Sequence, residues 1–348
     1  MEKINKAREL EQYGIDAFVR DDERPDREFY LKPRFVQHVD STALNTISHI
    51  IGTLIVEESP RILDLMASWD SHIPEKVRPG EVIGLGLNEE ELRNNKILTD
   101  YVIHDLNEDP TLPFPDSHFD VVINSLSVDY MTRPIEVFKE VGRILVPGGL
   151  FLVIFSNRYF PPKAVKIWKE MSEEERILLV IDYFKKSGFF SEPEIFISRG
   201  KPRPRDDRYA HMDIPSDPVY AVNAERPGAK GGPRKRPRPV DPDLPDLPNM
   251  SRDELKNWVS HTKSCPYCGQ RLSKWKVPLT PFTEWDTDFF YVCFNDLCPY
   301  FMRGWMAMLE QGNLGFSYRF RYNPVSGGID PMPVPHPRAY RESIVEDE

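Results

Sequence analysis

The chain has 348 residues, a hydrophobic content of 40%, a charged content of 29% and a formal net charge of −10. This length favours two domains, and the acidic balance argues against a protein that binds polyanions over its whole surface. No apolar run approaches the roughly 20 residues needed to span a membrane, and the charged N-terminal segment lacks the apolar core of a signal peptide. All four cysteines lie between residues 265 and 298, which argues against a scattered disulfide framework and predicts a cytoplasmic protein without membrane contact.

The chain begins with a charged segment that is followed by a helical pattern. Residues 1–30 are predicted to be an N-terminal extension. Residues 31–57 predict an amphipathic helix that Asp40 or Ser41 can cap. Its apolar stripe consists of Leu44, Ile47, Ile51 and Leu54.

Short β-rich runs bounded by turn residues come next. They start at Arg61, Glu81 and Asp100 and continue as two apolar runs, Phe119–Ile123 and Leu150–Phe155. The last two runs indicate strands buried on both faces, as in a parallel sheet. A helix from Pro134 and a turn at residues 147–149 separate them, so the three elements form a right-handed crossover. Such sheets bind ligands at the carboxyl ends of their strands.

Two phrases around this crossover, LPFPDSHFDVV and EVFKEVGRILVPGGLFLV, resemble the type 11 domain of class I S-adenosylmethionine-dependent methyltransferases. The resemblance covers residues 60–160 and extends less strongly to about residue 226. It implies an α/β fold with a doubly wound Rossmann-like sheet over residues 31–226, closed by strands at Glu194–Ser198 and Val219–Ala224. It also implies S-adenosylmethionine as the cofactor, but no particular methyl acceptor.

The resemblance further implies cofactor-binding residues at the strand ends. Asp64 keeps the acidic residue that ends the first strand, but the family's three turn glycines are replaced by Met66, Ser68 and Asp70. Either this turn takes another path, or the pocket is altered or closed. Gly86 stands where the family has a ribose-binding acid, and Asn88 offers an amide nearby.

Later strand ends keep more of the family pattern. Asp105 and Leu106 match the family's contacts to the adenine, and Asn124 ends the strand that lines the cleft. The implied cofactor-binding set is Asp64, Met66, Ser68, Asn88, Asp105, Leu106 and Asn124. Asn88 also suits the N-cap of a following helix, and the two roles are compatible.

Side chains near the same strand ends are candidates for handling the acceptor. His72 and His38 are candidate general bases, although a plainer interpretation makes His38 and its neighbour Arg34 surface residues. Candidates for shaping the acceptor pocket are Trp69, Tyr130, Arg158 and Tyr159. The leading hypothesis is a methyltransferase with an unidentified acceptor. The alternative is a related fold that no longer catalyses and serves as a binding module, which the lost glycines and the lost ribose acid favour.

The rest of the chain contains a linker and a cysteine motif. Residues 227–250, rich in proline and glycine, predict a mobile linker that trypsin cuts first among residues 234–236. Residues 251–322 predict a zinc-ribbon domain, and residues 323–348 a disordered tail. The spacing C-x2-C, 24 residues, C-x4-C is typical of a structural zinc site, with two disulfides or four free thiols as alternatives. The ligands would be Cys265, Cys268, Cys293 and Cys298.

The second half of this motif, from Cys293 through Asn295 to Cys298, resembles the Ogr/Delta-type zinc ribbon of phage transcription activators. It implies a protein or nucleic-acid partner for this domain. The alternation of aromatic and basic residues from Tyr318 to Tyr322 fits either an ordinary strand or a nucleic-acid stacking strip. A DNA-binding regulator is therefore a third hypothesis, and the acidic net charge counts against it.

Overall fold

The computed structural model describes residues 13, 14, 16–212, 214–230, 232, 234–239, 241, 247–278 and 287–345. The chain divides into two compact units. The first comprises Met1–Phe196, Pro204–Asp207 and Asp217–Pro239, and the second Ile197–Arg203, Arg208–Ser216 and Val240–Glu348. Within the described ranges, no helix is long and apolar enough to cross a membrane.

The first unit is built on a seven-stranded sheet. Its strands are β1 (Arg61–Leu65), β2 (Glu81–Gly86), β3 (Asp100–Ile103), β4 (Phe119–Ser125), β5 (Leu145–Phe155), β6 (Glu194–Ser198) and β7 (Val219–Glu225). Their order is β3-β2-β1-β4-β5-β7-β6, with parallel pairing from β3 to β5 and β7 antiparallel to β5. This doubly wound sheet confirms the expected fold class. The strand order reverses between β1 and β4, and that point of the carboxyl edge is where such folds bind ligands.

The described part of the first unit contains six α-helices, and those that follow Asp40 and Asn88 and begin at Pro134 start where the sequence predicts. The six helices are α1 (Asp26–Phe29), α2 (Ser41–Leu54), α3 (Glu89–Asn94), α4 (Pro134–Ile144), α5 (Lys166–Glu170) and α6 (Glu173–Ser187). Asp40 caps α2 by accepting the Ala43 N–H at 3.0 Å, and the apolar face of α2 packs into the main core. Helix α6 starts with a Ser172–Glu175 capping box and ends at Gly188 with φ of 74°.

The crossover contains one difference from expectation. The predicted turn at residues 147–149 lies inside β5, which already pairs with Phe119 at Leu145. The register between β4 and β5 then shifts between Phe119 and Val121, and Gly148 takes φ of 81°. The glycine thus accommodates an irregularity within a long strand and does not end one.

The second unit contains an antiparallel sheet. Its elements are α7 (Arg252–Thr262), β8 (Ser273–Lys276), β9 (Phe289–Val292), α8 (Pro299–Glu310), β10 (Ser317–Tyr322), β11 (Ile329–Val334) and β12 (Ile344–Val345). The strand order is β11-β10-β9-β8-β12. A small core of aromatic and aliphatic side chains lies against it: Trp275, Val277, Phe290, Val292, Phe294 and Met332.

Three segments differ from the boundaries that the sequence predicts. The described part of residues 1–30 is no loose extension, because Arg20 and Asp26 form a buried ion pair at 2.7 Å within the first unit. The tail after residue 322 is not disordered over its described part, since it supplies β11 and β12. The linker lies partly outside the described residues, but Pro227–Pro239 belongs to the first unit where it is described.

Side chains explain the position of this linker segment. Arg234 and Arg236 both pair with the buried carboxylate of Glu57 at 2.6 Å, and Arg236 also pairs with Glu225 at 2.7 Å. The basic residues therefore hold this part of the segment against the first unit, where the sequence predicts a mobile linker.

Candidate cofactor site and cysteine cluster

The segment at residues 26–38, which starts with helix α1 and is otherwise irregular, crosses the carboxyl edge of the sheet, and we call it the N-terminal strap. Side chains from three strand-end loops donate hydrogen bonds to it: Trp69 after β1, Asn88 after β2 and Asn107 after β3. The donor–acceptor distances lie between 2.8 and 3.2 Å. The strap thus covers the strand ends at which a ligand of this fold is expected.

The turn after β1 keeps a glycine-like backbone without glycine. Met66 has φ of 62°, in the left-handed region that non-glycine residues rarely adopt. The next residue, Ala67, donates its N–H to the Leu85 carbonyl at 2.8 Å, so the turn is hydrogen-bonded to β2. A side chain at Gly86 would clash with the Ala67 carbonyl oxygen. The missing glycines and the missing strand-end acid are therefore one linked change of structure.

Glu91, in the first turn of α3, takes a central place beside this turn. Its two carboxylate oxygens accept hydrogen bonds from the Ser68 hydroxyl and the Arg34 backbone N–H, each at 2.6 Å. Asn88 caps α3 by accepting the Glu91 N–H at 3.0 Å, as predicted. Its amide also donates to the carbonyls of Tyr30 and Leu31, at 2.8 and 3.1 Å. Because these bonds use both amide hydrogens, the geometry offers no support for a contact between Asn88 and a ribose.

The two candidate histidines approach the same turn. His72 has φ of 57°, and its Nδ1 lies 3.2 Å from Asp70, whose pKa it holds well below the usual range through hydrogen bonding. His38 meets the ring of Phe160 edge-on, with centroids 5.4 Å apart. Burial lowers the pKa of His38, with Glu91 acting in the opposite direction. Burial also raises the pKa of Asp64 to about 6.

The ends of β3 and β4 carry the remaining cofactor candidates. Asp105 is buried and accepts the Asn107 N–H at 3.0 Å, which shapes the turn there, and Leu106 is buried beside it. Asn124 is fully buried, and its amide donates to the Leu65 carbonyl at 2.9 Å. Its Oδ1 has no hydrogen-bond partner within the protein. This oxygen is the kind of buried acceptor that a ligand can satisfy.

The acceptor candidates do not form a single group. Tyr130 is buried, and its hydroxyl accepts the Phe160 N–H at 2.8 Å. Tyr159 lies under the guanidinium of Arg176, 5.2 Å from it, whereas Arg158 is exposed. Trp69 is engaged with the N-terminal strap through its ring nitrogen. Only Tyr130 and Trp69 therefore belong to the covered strand ends.

Sequence reasoning missed Glu91 and Asp129 at this edge, and it interpreted Arg34 as a surface residue. Arg34 and Glu91 lie in the network just described, and Asp129 follows β4 with only 3% of its surface exposed. Burial raises the pKa of Asp129 to about 7, although hydrogen bonding and Arg176 act against this. An acidic residue just after a buried strand was a readable signal for Asp129. Arg34 and Glu91 carry no such pattern, because their roles depend on contacts between distant segments.

The four cysteines of the second unit converge. All four Sγ atoms lie within 4.8 Å of one another, and none is in a disulfide. The sulfurs of Cys265 and Cys298 are 3.8 Å apart, and those of Cys268 and Cys293 are 3.6 Å apart. Sulfurs at the corners of a tetrahedron with Zn–S bonds of about 2.3 Å would be about 3.8 Å apart. The donor set therefore has the type and spacing that Zn²⁺ requires.

The alternating strip at Tyr318–Tyr322 is an internal strand, β10, paired on both sides. Arg319 is fully buried, donating to the Cys293 carbonyl at 3.2 Å and pairing with Asp296 at 2.5 Å. Phe320 and Tyr322 are also buried. The ordinary-strand interpretation fits this burial, and these three residues are not available to stack on nucleic-acid bases.

Known proteins match part of this chain. Residues 71–153 match the family model of a methyltransferase domain. A stretch of 55 residues is 47% identical to the ubiquinone/menaquinone biosynthesis C-methyltransferase UbiE of Laribacter hongkongensis, covering 16% of this chain and 22% of that protein. A stretch of 87 residues is 36% identical to the fatty-acid O-methyltransferase of Mycolicibacterium smegmatis, covering 24% and 31%. The chain thus spans less than a third of either relative.

A solved structure is similar over a larger part of the chain. It comes from the complex between the Haloferax volcanii Trm112 methyltransferase activator and a methyltransferase, with a TM-score of 0.40 and 19% identity, covering 53% of this chain and 91% of that one. The match to the methyltransferase-domain model lies within the first unit, which carries the doubly wound sheet.

Proposed function

We propose that the first unit binds S-adenosylmethionine at the carboxyl edge of its sheet and transfers the methyl group to an acceptor. One observation carries the proposal: buried polar atoms that have no hydrogen-bond partner among the described residues lie on this edge. They are Arg34 Nη1, Asn124 Oδ1, Ser125 Oγ, Asp129 Oδ2 and Ser156 Oγ. Because buried polar atoms in folded proteins are nearly always hydrogen-bonded, such a cluster points to a ligand site.

The residues at the strand ends fit this cofactor, with one change from the set that the sequence predicts. Asp105 and Leu106 would face the adenine, and the free Oδ1 of Asn124 would accept a hydrogen bond at the end of β4. Glu91 replaces Asn88 as the candidate for the ribose. Each of its carboxylate oxygens accepts one hydrogen bond and can accept another, whereas both amide hydrogens of Asn88 are already in use. Bound S-adenosylmethionine supplies an electrophilic methyl group, and the protein's part is to orient the acceptor and exclude water.

Calorimetric titration of S-adenosylmethionine and S-adenosylhomocysteine tests this proposal. We expect both to bind, and Glu91→Gln to weaken binding by about tenfold, since a charge-assisted hydrogen bond becomes a neutral one. Glu90→Gln is the matched control, because Glu90 is an exposed residue of the same helix. Undetectable binding of both compounds at millimolar concentration would contradict the proposal.

A non-catalytic binding module is the second candidate function. The close packing of the turn after β1 against β2 favours it. The Ala67 carbonyl fills the space beside Gly86, and the strap is hydrogen-bonded over the strand ends. The two candidates differ in turnover. A methyltransferase converts S-adenosylmethionine to S-adenosylhomocysteine when its acceptor is supplied, for example in fractions of a small-molecule extract. A module that binds the cofactor without any such conversion would favour the second candidate.

For the second unit we propose one structural Zn²⁺ held by the four cysteine thiolates. The converging sulfurs support this, as does the buried Arg319. Four thiolates and one Zn²⁺ carry a net charge of −2, and a buried guanidinium that bonds the Cys293 carbonyl would offset part of it. The ion would fix the two knuckles relative to the sheet and has no catalytic role in this proposal.

A further inference from the structure

The guanidinium of Arg34 lies in a slot of aromatic rings at the middle of the carboxyl edge. Its carbon is 4.7 Å from the ring centroid of Phe29, 5.4 Å from that of Phe160 and 5.5 Å from that of Tyr30. Phe160 follows β5, while the backbone of Arg34 is bonded to Glu91 after β2. Since β1 and β4 lie between β2 and β5, the side chain is placed over the point where the strand order reverses.

The hydrogen bonds of this guanidinium are incomplete. Nη2 donates to the Phe29 carbonyl at 2.8 Å, but Nη1 is buried and has no partner in the part of the chain that the structure describes. Among the described residues, no carboxylate lies within ion-pair distance of the group. By contrast, two arginines with buried side chains have carboxylate partners: Arg20 pairs with Asp26 at 2.7 Å and Arg236 with Glu57 at 2.6 Å. A cation in such an environment normally has an anionic partner.

The surroundings favour a ligand with a single negative charge. His38 shares the Phe160 ring with Arg34, and its lowered pKa leaves it uncharged at neutral pH. Glu91 is already bonded to Ser68 and to the Arg34 backbone. His72, another titratable group of this edge, is paired with Asp70. Tyr30 contacts the guanidinium with its ring, and burial raises the pKa of Asp129, which acts on the same Tyr30, to about 7. One guanidinium edge with a free donor therefore matches one carboxylate, whose planar geometry suits it.

We propose that Arg34 binds a carboxylate group of a ligand in the space between the strap and the strand ends. This inference rests on the proposed function, which offers two sources of the group. One is the methionine carboxylate of the cofactor. The other is a carboxylic acid acceptor, whose oxygen would form an O–CH3 bond as the C–S bond of the sulfonium breaks, giving an ester and a thioether. That transfer releases no proton and needs no general base.

Calorimetry with matched ligands identifies the source. If the cofactor supplies the carboxylate, Arg34→Met should weaken S-adenosylhomocysteine binding by about 10- to 100-fold. It should leave binding of decarboxylated S-adenosylhomocysteine unchanged. If the acceptor supplies the carboxylate, Arg34→Met should not change the binding of S-adenosylhomocysteine or of its decarboxylated form. It should instead weaken the binding of dodecanoate to the S-adenosylhomocysteine complex. The neutral dodecanamide serves as the comparison.

Two further variants keep the test decisive. Arg27→Met is the control, because Arg27 is a largely exposed arginine of the same strap. Arg34→Lys keeps the charge without the planar fork and should show a smaller loss, which also covers the case in which Arg34→Met does not fold. Unchanged binding of every carboxylate ligand by folded Arg34→Met would overturn the inference. If the wild type binds neither adenosyl compound, the proposed function fails, and dodecanoate binding to the free protein decides the inference separately.

Discussion

Asp129 is a carboxyl group held in an unfavourable place for a charge. It is buried after β4, its Oδ2 has no partner within the protein, and burial raises its pKa to about 7. Tyr30, Tyr130, Tyr183 and Arg176 are the titratable groups that act on it or are acted on by it. Only Arg176 among them favours the ionised form by its charge. The folded protein is therefore more stable with Asp129 protonated than with Asp129 ionised.

This residue should make the stability of the first unit depend on pH. Its folded pKa exceeds the value of about 3.9 in an unfolded chain, so the folded state binds more protons between about pH 4 and 7. Stability should fall as pH rises through that window. Asp129→Asn should raise the free energy of unfolding by roughly 2–4 kcal/mol at pH 8 and change it little near pH 4.5. Urea unfolding at both pH values measures this.

Exposed Asp100 gives the matched control, because its neutralisation to asparagine should leave both values nearly unchanged. An equal effect of Asp129→Asn at the two pH values would show that the variant acts through packing and not through charge.

Met66 shows how far single residues can be read from sequence. The loss of the family glycines was visible, and it left open whether the turn changed its path or closed the pocket. The structure keeps the left-handed backbone at Met66 and moves the carbonyl of Ala67 against Gly86. The residue at the β1 turn and the glycine at the end of β2 depend on each other, so neither can be interpreted from its own position in the sequence.

Among the elements, the strands and long helices were predictable and the irregular segments were not. Periodic burial and capping residues located β4, α2 and α6, since these signals are local. The N-terminal strap has no period, and side-chain bonds from three separate loops hold it. β11 was hidden by Pro331 and Pro333, which suggested disorder. It lies at the edge of its sheet, where a strand tolerates proline because one side needs no N–H donors.

The linker segment around Arg236 leads to a prediction about proteolysis. Arg234 and Arg236 are tied to Glu57, so trypsin should cut slowly at residues 234–236 in the native protein. Glu57→Gln removes the ion pairs of Arg234 and Arg236 with Glu57 and leaves the pair between Arg236 and Glu225. Removing one partner from a buried ion pair typically costs about 3–5 kcal/mol. Cleavage there should become at least about tenfold faster, as followed by mass spectrometry of timed digests.

Glu58→Gln is the natural comparison, since Glu58 is exposed and adjacent. Rapid cleavage of the wild type at these arginines would instead restore the original interpretation of a mobile tether.

For the whole molecule, the division into two units predicts two separable responses to metal. Purified protein should contain one Zn²⁺ per chain. Cys265→Ser should unfold the second unit, because zinc binding in such sites contributes on the order of 10 kcal/mol to folding. The first unit should keep its own unfolding transition, since its core contains none of the four cysteines.

Metal analysis and calorimetric melting measure these outcomes, with Ser264→Ala as a neighbouring control. A zinc content near zero with four titratable thiols would contradict the metal assignment, and a single shared melting transition would contradict the independence of the units.

The N-terminal strap has a further consequence, which concerns rates. A ligand held between it and the strand ends would be released as the bonds from Trp69, Asn88 and Asn107 break. Opening of such segments typically takes microseconds to milliseconds. The residence time of a ligand would then be set by these three donors, while its affinity depends on the residues beneath the strap. A slow release of product would follow from the covering segment alone, whatever the chemistry of the acceptor.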